Sequence, residues 1–242
     1  MKETIYTIPV MDAFKESNEC PFCYMYHTLE TQAINFVLGP SYMETDVREK
    51  TNELGFCKEH LTKLYSQKNR LGLALMLHSH MDVTKHSLEK LLTDPVKKPK
   101  KSFLKKEASE QKLTTYLKEQ SSKCYICDKV QDTFNRYVDT FFYLWKKDKT
   151  FVDLVKTCKG FCLEHFADIY QEGPKHLNDH ALKSFLDTIV PIQLDNLQRV
   201  QDDLDWFIKK SDYRFADEPW KNSRDALVRS MVKSNSLITD ED

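Results

Sequence analysis

Apolar residues recur every three or four positions along most of the chain, with Lys, Glu and Asp between them. This spacing places the apolar side chains on one face of an α-helix, so the pattern predicts an all-α fold. Gly39 and Pro40 end one such stretch, and Gly55 ends another. Helices are expected over residues 24–38, 45–54, 71–92, 124–145, 150–159, 181–209 and 220–232.

Three of these helices carry apolar stripes that predict buried positions. Stripes with helical spacing are typical of a packed core rather than of a cofactor pocket. We expect the longest helix to be interrupted or kinked at Pro191, because proline removes a backbone hydrogen bond. The predicted core positions are Leu73, Leu77, Met81, Leu88 and Leu91; Phe134, Tyr137, Phe141 and Trp145; and Leu194, Leu197, Val200, Leu204 with Phe207 or Ile208.

One six-residue block occurs twice with a single change. Residues 55–60 read GFCKEH and residues 160–165 read GFCLEH, and each block follows a C-x2-C pair, CPFC at 20–23 or CYIC at 124–127. Such self-similarity indicates an internal repeat. We therefore predict two pseudo-repeated helical units, residues 1–94 and 113–211, a Lys/Pro-rich linker over 95–112, and a C-terminal helix with an acidic tail over 212–242.

Each predicted repeat contains three cysteines and one histidine with metal-ligand spacing. Two residues three apart on a helix share one face and can hold one ion, and helix N-termini favour thiolates. Three thiolates and one imidazole form a familiar tetrahedral zinc site, so we predict two zinc ions per chain. An iron–sulfur cluster, disulfides or inert buried thiols are the alternatives. The predicted ligands are Cys20, Cys23, Cys57 and His60 for one ion, and Cys124, Cys127, Cys162 and His165 for the other.

The same motifs carry a family resemblance along nearly the whole chain. IPVMDAF, CPFC, LGPSYMETDVREKTNELGFCKEH, NRLGLAL, CYIC and GFCLEH are similar to an uncharacterised bacterial family classed as a domain of unknown function. That resemblance supports the repeat and the eight ligand candidates, and it implies no activity. Some family members are labelled transporter substrate-binding proteins, a label that the N-terminus does not support because it lacks an apolar signal segment.

Composition and charge narrow the class of protein. The chain has 242 residues, 40% of them apolar, and a formal net charge of −1, which is ordinary for a globular protein and gives no overall attraction to nucleic acid or membranes. We expect a cytoplasmic protein with reduced thiols and no membrane segment. The lysines of residues 95–112 could contact phosphates, but no arginines accompany them, so a solvated linker is the expectation.

Five further polar or thiol side chains fall outside the repeated pattern. His78, Asp82 and His86 are four residues apart and lie opposite the apolar stripe, so we expect them to be exposed rather than to form another metal site. His27 could reach the first ion, yet four ligands already complete that site. Cys158 is expected to be a packed thiol, with a redox role as the alternative.

Three functional hypotheses follow. The sequence has no nucleophile elbow, phosphate-binding loop, dinucleotide fingerprint or H-E-x-x-H motif. We therefore predict a non-enzymatic protein-interaction or regulatory module, shaped by two structural zinc ions and acting on a protein partner. The second hypothesis is a thiol-based redox sensor that releases zinc on oxidation. The third is a nucleic-acid-binding protein or an enzyme whose catalytic residues the motifs do not reveal.

Overall fold

The computed structural model describes residues 5–93 and 104–236, and these residues form eleven α-helices. No strand occurs within those two ranges, which confirms the all-α prediction. Of the helices described, none is long and apolar enough to cross a membrane. The helices are α1 (Thr7–Lys15), α2 (Pro21–Leu38), α3 (Thr45–Leu54), α4 (Lys58–Ser66), α5 (Arg70–Thr93), α6 (Leu104–Ser122), α7 (Tyr125–Lys147), α8 (Lys149–Thr157), α9 (Leu163–His176), α10 (Asp179–Lys209) and α11 (Ala226–Asn235).

Local sequence signals explain several of the helix ends. Helix α2 ends before Gly39, as predicted, and α3 ends at Gly55, whose φ of 59° few other residues adopt. The side chain of Asp148 accepts hydrogen bonds from two backbone N–H groups at the start of α8, and Asn178 caps α10 in the same way. Helix α10 is 31 residues long and contains Pro191 in its interior, so the helix is not interrupted there.

The predicted linker is partly helical. Residues 104–112 of the predicted linker belong to α6, while residues 95–103 lie outside the described ranges. Lys, Glu, Ala and Gln are good helix formers, and α6 packs against α5. The predicted acidic tail at 239–242 also lies outside the described residues.

The chain divides into two compact units that differ from the predicted domains. The first unit combines residues 1–29 with residues 133–242, and the second contains residues 30–132. The division therefore falls within α2 and within α7. Neither unit consists of one predicted repeat.

The core of the first unit is dominated by aromatic rings. Phe14 lies at ring-centroid distances of 5.1 Å from Phe151, 5.6 Å from Phe141 and 6.1 Å from Phe22, and Phe22 lies 5.9 Å from Phe161. Rings at these separations pack edge-to-face or offset and bury large apolar areas. Phe22 and Phe161 each belong to a Cys motif, so this core joins a motif from the start of the chain to one from its second half.

The second unit is built around α5. Helices α3, α4 and α6 each pack against it. Val47 of α3, Leu64 of α4, and Leu73 and Met76 of α5 are buried, and burying side chains of this size contributes about 1.5–3 kcal/mol each.

Some predicted core positions are on the surface. Met81 is 67% exposed and Leu194 is 61% exposed, so these two predictions are wrong, and of the alternatives Phe207 and Ile208 it is Ile208 that is exposed. Met81 lies beyond Met76, the last residue of α5 described as buried, and Leu194 lies about 100° around α10 from the buried Gln193. The aromatic stripe of α7 is buried as predicted, and His78, Asp82 and His86 are exposed as predicted.

Candidate metal centres

The eight predicted ligands lie in two clusters, each at the start of two helices. In each C-x2-C and C-x2-H motif, the first ligand residue lies immediately before a helix, and the second lies three residues later in the first turn of that helix. Cys57 and Cys162 are N-cap residues with extended backbone, so α4 and α9 begin one residue after the cysteine. Helix starts carry unpaired N–H groups and favour negative charge, which stabilises thiolates at these positions.

The first cluster consists of Cys20, Cys23, Cys162 and His165. The Nδ1 atom of His165 lies 3.7 Å from the Sγ of Cys20, 3.4 Å from that of Cys23 and 3.1 Å from that of Cys162. Backbone N–H groups also point at the sulfurs, since the N–H of Cys23 donates to Cys20 and that of His165 donates to Cys162. All four residues are buried.

The second cluster consists of Cys57, His60, Cys124 and Cys127. The Nδ1 atom of His60 lies 3.2 Å from the Sγ of Cys57 and 3.3 Å from those of Cys124 and Cys127. The Sγ atoms of Cys57 and Cys127 are 3.9 Å apart. His60 and Cys124 are buried, whereas Cys57 and Cys127 are partly exposed.

The predicted pairing of the motifs is wrong. Pairing within each repeat would join CPFC to GFCKEH, but the structure joins CPFC to GFCLEH and CYIC to GFCKEH. Phe22 of CPFC packs against Phe161 of GFCLEH, so an aromatic contact joins the two motifs of the first cluster. The backbone N–H of Tyr125 in CYIC donates a hydrogen bond of 3.0 Å to the carbonyl of Gly55 in GFCKEH, which joins the two motifs of the second cluster.

Both clusters have the dimensions of a tetrahedral zinc site. Zn–S distances of about 2.3 Å and Zn–N distances of about 2.05 Å place neighbouring ligand atoms about 3.6–3.8 Å apart. The ligand atoms of each cluster all lie within 4.8 Å of one another. One imidazole nitrogen forms at most one strong hydrogen bond, so three sulfurs around a single Nδ1 are poorly explained by hydrogen bonding. The donor set therefore fits one shared cation in each cluster.

Electrostatics in the first cluster favour an anionic sulfur beside a cationic ring. Hydrogen bonds from Cys20 and Cys23 lower the pKa of Cys162, and the bond to Cys162 raises the pKa of Cys23. Burial lowers the pKa of His165, but the sulfurs of Cys162 and Cys20 outweigh it and raise that pKa to about 10. At neutral pH a bound cation would therefore take the place of protons.

The second cluster shows the same charge separation. Burial raises the pKa of Cys124, but hydrogen bonds with His60 and with backbone groups lower it to about 6 overall. Burial lowers the pKa of His60, and its partners Cys124 and Glu30 reverse this and raise it to about 10. Burial and the neighbouring Cys124 raise the pKa of Cys127.

Glu30 is a functional residue that the sequence did not reveal. Its Oε1 accepts a hydrogen bond of 2.9 Å from the Nε2 of His60, and Lys63 donates to both of its oxygens at 2.7 and 2.8 Å. Burial raises the pKa of Glu30, yet these two partners lower it to about 2. A carboxylate on the outer nitrogen of a metal-binding histidine fixes the ring and its tautomer. No spacing rule connects residues 30 and 60, so only the fold could show this contact.

Gln193 of α10 orients the loop that carries Cys162. Its Oε1 accepts from the backbone N–H of Phe161 at 2.9 Å, and its Nε2 donates to the carbonyl of the same residue at 3.0 Å. Gly160, with a φ of 77°, allows the turn before Phe161. A buried side chain that satisfies both backbone groups of one residue fixes the direction of the chain there.

Helix α11 also supports the first cluster. The Nζ of Lys233, which is 2% exposed, donates to the backbone carbonyl of Glu19 at 2.6 Å and to that of Lys159. The hydroxyl of Ser236 lies 3.0 Å from the Sγ of Cys162 and 3.0 Å from a carboxylate oxygen of Glu164. The C-terminal helix was predicted, but its contacts with the loops that carry the cysteines of the first cluster were not.

The two remaining candidates join neither cluster. His27 and Cys158 are absent from both groups of ligand atoms. Burial raises the pKa of Cys158 to about 11, which is typical of a packed, unreactive thiol.

Comparison with known proteins identifies a family but no function. A family model described as "Family of unknown function (DUF6062)" matches residues 1–241. No curated protein and no solved structure matches the chain.

Proposed function

The chain belongs to the family of unknown function DUF6062, and we propose that it is a zinc-binding helical protein whose two ions have a structural role. Each ion is held by three cysteine thiolates and the Nδ1 of one histidine, in the first and second clusters described above. The observation that supports this most directly is the convergence of three sulfurs on one nitrogen at 3.1–3.7 Å in both clusters.

The donor set favours zinc over the alternatives. Imidazole in place of a fourth thiolate is common in structural zinc sites and less so in iron–sulfur clusters, which are usually held by four cysteines. In the second cluster, the 3.9 Å between the sulfurs of Cys57 and Cys127 is far beyond the roughly 2.05 Å of a disulfide. The seven cysteines are free thiols.

Four protein ligands per ion support a structural role. A catalytic zinc site keeps one position for water or substrate, whereas a site closed by four side chains does not. Structural zinc binding contributes about 10–16 kcal/mol in small peptides, which is comparable to the total stability of about 5–15 kcal/mol of a domain. Zinc bound at both clusters would thus be a major part of the stability of the fold.

We further propose that the zinc-bound fold acts as a protein-interaction or regulatory module. Leu71 and Leu75 of α5 are exposed at 67% and 37%, and they lie four residues apart on one face of the helix. Apolar side chains grouped on an exposed helix face are a common feature of surfaces that bind proteins. This feature supports a protein partner and favours none in particular.

Zinc content and zinc coordination test the proposal directly. Protein purified under reducing conditions should contain two zinc ions per chain by elemental analysis. X-ray absorption at the zinc edge should give an average of three sulfurs at about 2.3 Å and one nitrogen at about 2.0–2.1 Å per ion. Iron in place of zinc, or a metal content well below two, would contradict the proposal.

A further inference from the structure

We propose that Cys57 and Cys127 form an oxidant-sensitive pair, and that a hydroperoxide joins them in a disulfide and releases the zinc of the second cluster only. This inference rests on the proposed function, because it requires zinc at both clusters. It adds a regulated site, which the structural role does not require.

Exposure separates the two clusters. The sulfur ligands of the first cluster are almost fully buried: Cys20 is 1% exposed, Cys23 is 4% exposed and Cys162 is 0% exposed. In the second cluster, Cys57 and Cys127 are both partly exposed. Reaction of a thiolate with a peroxide requires contact, so solvent access selects which cysteines are oxidised.

The exposed pair is also close enough to be oxidised together. The Sγ atoms of Cys57 and Cys127 are 3.9 Å apart, so a disulfide requires an approach of about 1.9 Å to the usual S–S length of about 2.05 Å. Cys57 lies on extended backbone before α4 and is not held within a helix. Rotation of its side chain, with a small movement of this segment, supplies most of that approach.

Contacts from α11 protect the first cluster. The hydroxyl of Ser236 lies 3.0 Å from the Sγ of Cys162, and a hydrogen bond to a thiolate reduces its nucleophilicity. Lys233 holds the carbonyls of Glu19 and Lys159, which lie on the two loops that carry the ligands of this cluster. These contacts restrict the movement that oxidation of the first cluster would need.

The reaction balances with a hydroperoxide as the only oxidant. The thiolate of one cysteine attacks the peroxide and becomes a sulfenic acid, and the O–O bond breaks to release water or an alcohol. The thiolate of the other cysteine attacks this sulfur, forms the S–S bond and releases hydroxide, which is protonated to water. Two thiolates lose two electrons and the peroxide gains them. His60 and Cys124 alone then hold the zinc too weakly to retain it.

The test is a titration of the full-length, zinc-loaded protein with hydrogen peroxide. Zinc content is first measured in the reduced protein, and a value of two establishes the starting state. Released zinc is followed with a chromogenic chelator, and the cysteines in disulfides are mapped by alkylation and mass spectrometry. We expect one zinc per chain to be released with a disulfide between Cys57 and Cys127, while the second zinc is retained until much higher peroxide. Reduction should restore zinc binding.

Two variants provide matched controls. Cys158→Ala should release the same single zinc, because Cys158 is not a ligand. Ser236→Ala should make the first cluster release its zinc at lower peroxide and leave the second cluster unchanged.

Other results of the peroxide titration would contradict either this inference or the proposed function. Simultaneous release of both ions, release from the first cluster, or oxidation without a bond between Cys57 and Cys127 would overturn this inference and leave the structural role of zinc intact. A reduced protein with fewer than two zinc ions would instead overturn the proposed function.

Discussion

Two double substitutions distinguish the observed pairing of the motifs from pairing within each repeat. Cys20→Ala with Cys162→Ala removes two ligands from the first cluster and leaves the second complete. Cys20→Ala with Cys57→Ala removes one ligand from each cluster. Pairing within each repeat predicts the reverse, because Cys20 and Cys57 would then share one ion.

The expected affinities follow from sharing the binding free energy among the ligands. A total of about 10–16 kcal/mol over four ligands assigns about 2.5–4 kcal/mol to each, or roughly a 10²–10³-fold loss of affinity for each cysteine removed. The Cys20/Cys162 variant should therefore keep one ion within about threefold of its full affinity and lose the other entirely. The Cys20/Cys57 variant should hold both ions about 10²–10³-fold more weakly.

The assay is competition with a chelator of graded affinity, with zinc content measured after removal of the chelator. The wild type should retain two ions, the Cys20/Cys162 variant one and the Cys20/Cys57 variant none. Cys158→Ala serves as the control for loss of a thiol and should retain two. Retention of one tightly bound ion by the Cys20/Cys57 variant would refute the observed pairing.

Three further predictions concern the surroundings of the clusters. Glu30→Gln should weaken zinc binding at the second cluster by about 10–100-fold and leave the first unchanged in chelator competition; equal loss at both would contradict the role of Glu30. Gln193→Leu should cost about 2–4 kcal/mol in denaturant unfolding, since it leaves two buried backbone groups of Phe161 unpaired; a cost below about 0.5 kcal/mol would refute it. The pKa of His60 is about 10 and that of Cys127 is raised, so zinc must displace at least these two protons near neutral pH, and affinity should rise at least about 100-fold per pH unit between roughly pH 7 and 8. Isothermal titration in buffers of different ionisation enthalpy measures these protons, and release of none would contradict the assignment.

The sequence was sufficient to predict most of the helices, although not α1 or α6, and to identify the eight residues of the two clusters. Helical spacing and the glycines at positions 39 and 55 located the ends of α2 and α3, and the repeated C-x2-C and C-x2-H pairs identified all eight residues that the fold groups together. These features are local, since each depends on residues within one or two helical turns.

The pairing could not be predicted, because both pairings use the same local spacings. Pairing within each repeat was expected from the duplicated motif, and it would also close the shorter loops, which costs less chain entropy. That saving is small beside the burial of aromatic rings. Phe22 and Phe161, each 5.9 Å from the other and fully buried, bring the first and last motifs together, and truncating one buried Phe costs about 3–5 kcal/mol.

The supporting contacts of the clusters depend on tertiary structure in the same way. Glu30 lies in the middle of α2 and Lys233 near the end of α11, and neither position shows any unusual spacing in the sequence. Both are charged side chains that are buried in the fold, where hydrogen-bond partners compensate for the loss of water. A buried charge with several hydrogen bonds is visible only once the fold places its partners.

The observed pairing also nests one closed loop inside another. The second cluster joins Cys57 to Cys127, and this segment lies within the longer segment that the first cluster closes between Cys23 and Cys162. When the second cluster is closed, the free length of chain that the first must close is roughly halved. Each halving of loop length saves about 0.6 kcal/mol, a factor of about 3 in affinity. Zinc at the second cluster should therefore strengthen zinc binding at the first through chain entropy alone, whereas two sequential loops would be independent. By the same linkage, loss of zinc from the second cluster lowers the zinc affinity of the first and leaves the ligands of the first in place. The first cluster can therefore keep the core ordered while the second cluster has lost its zinc.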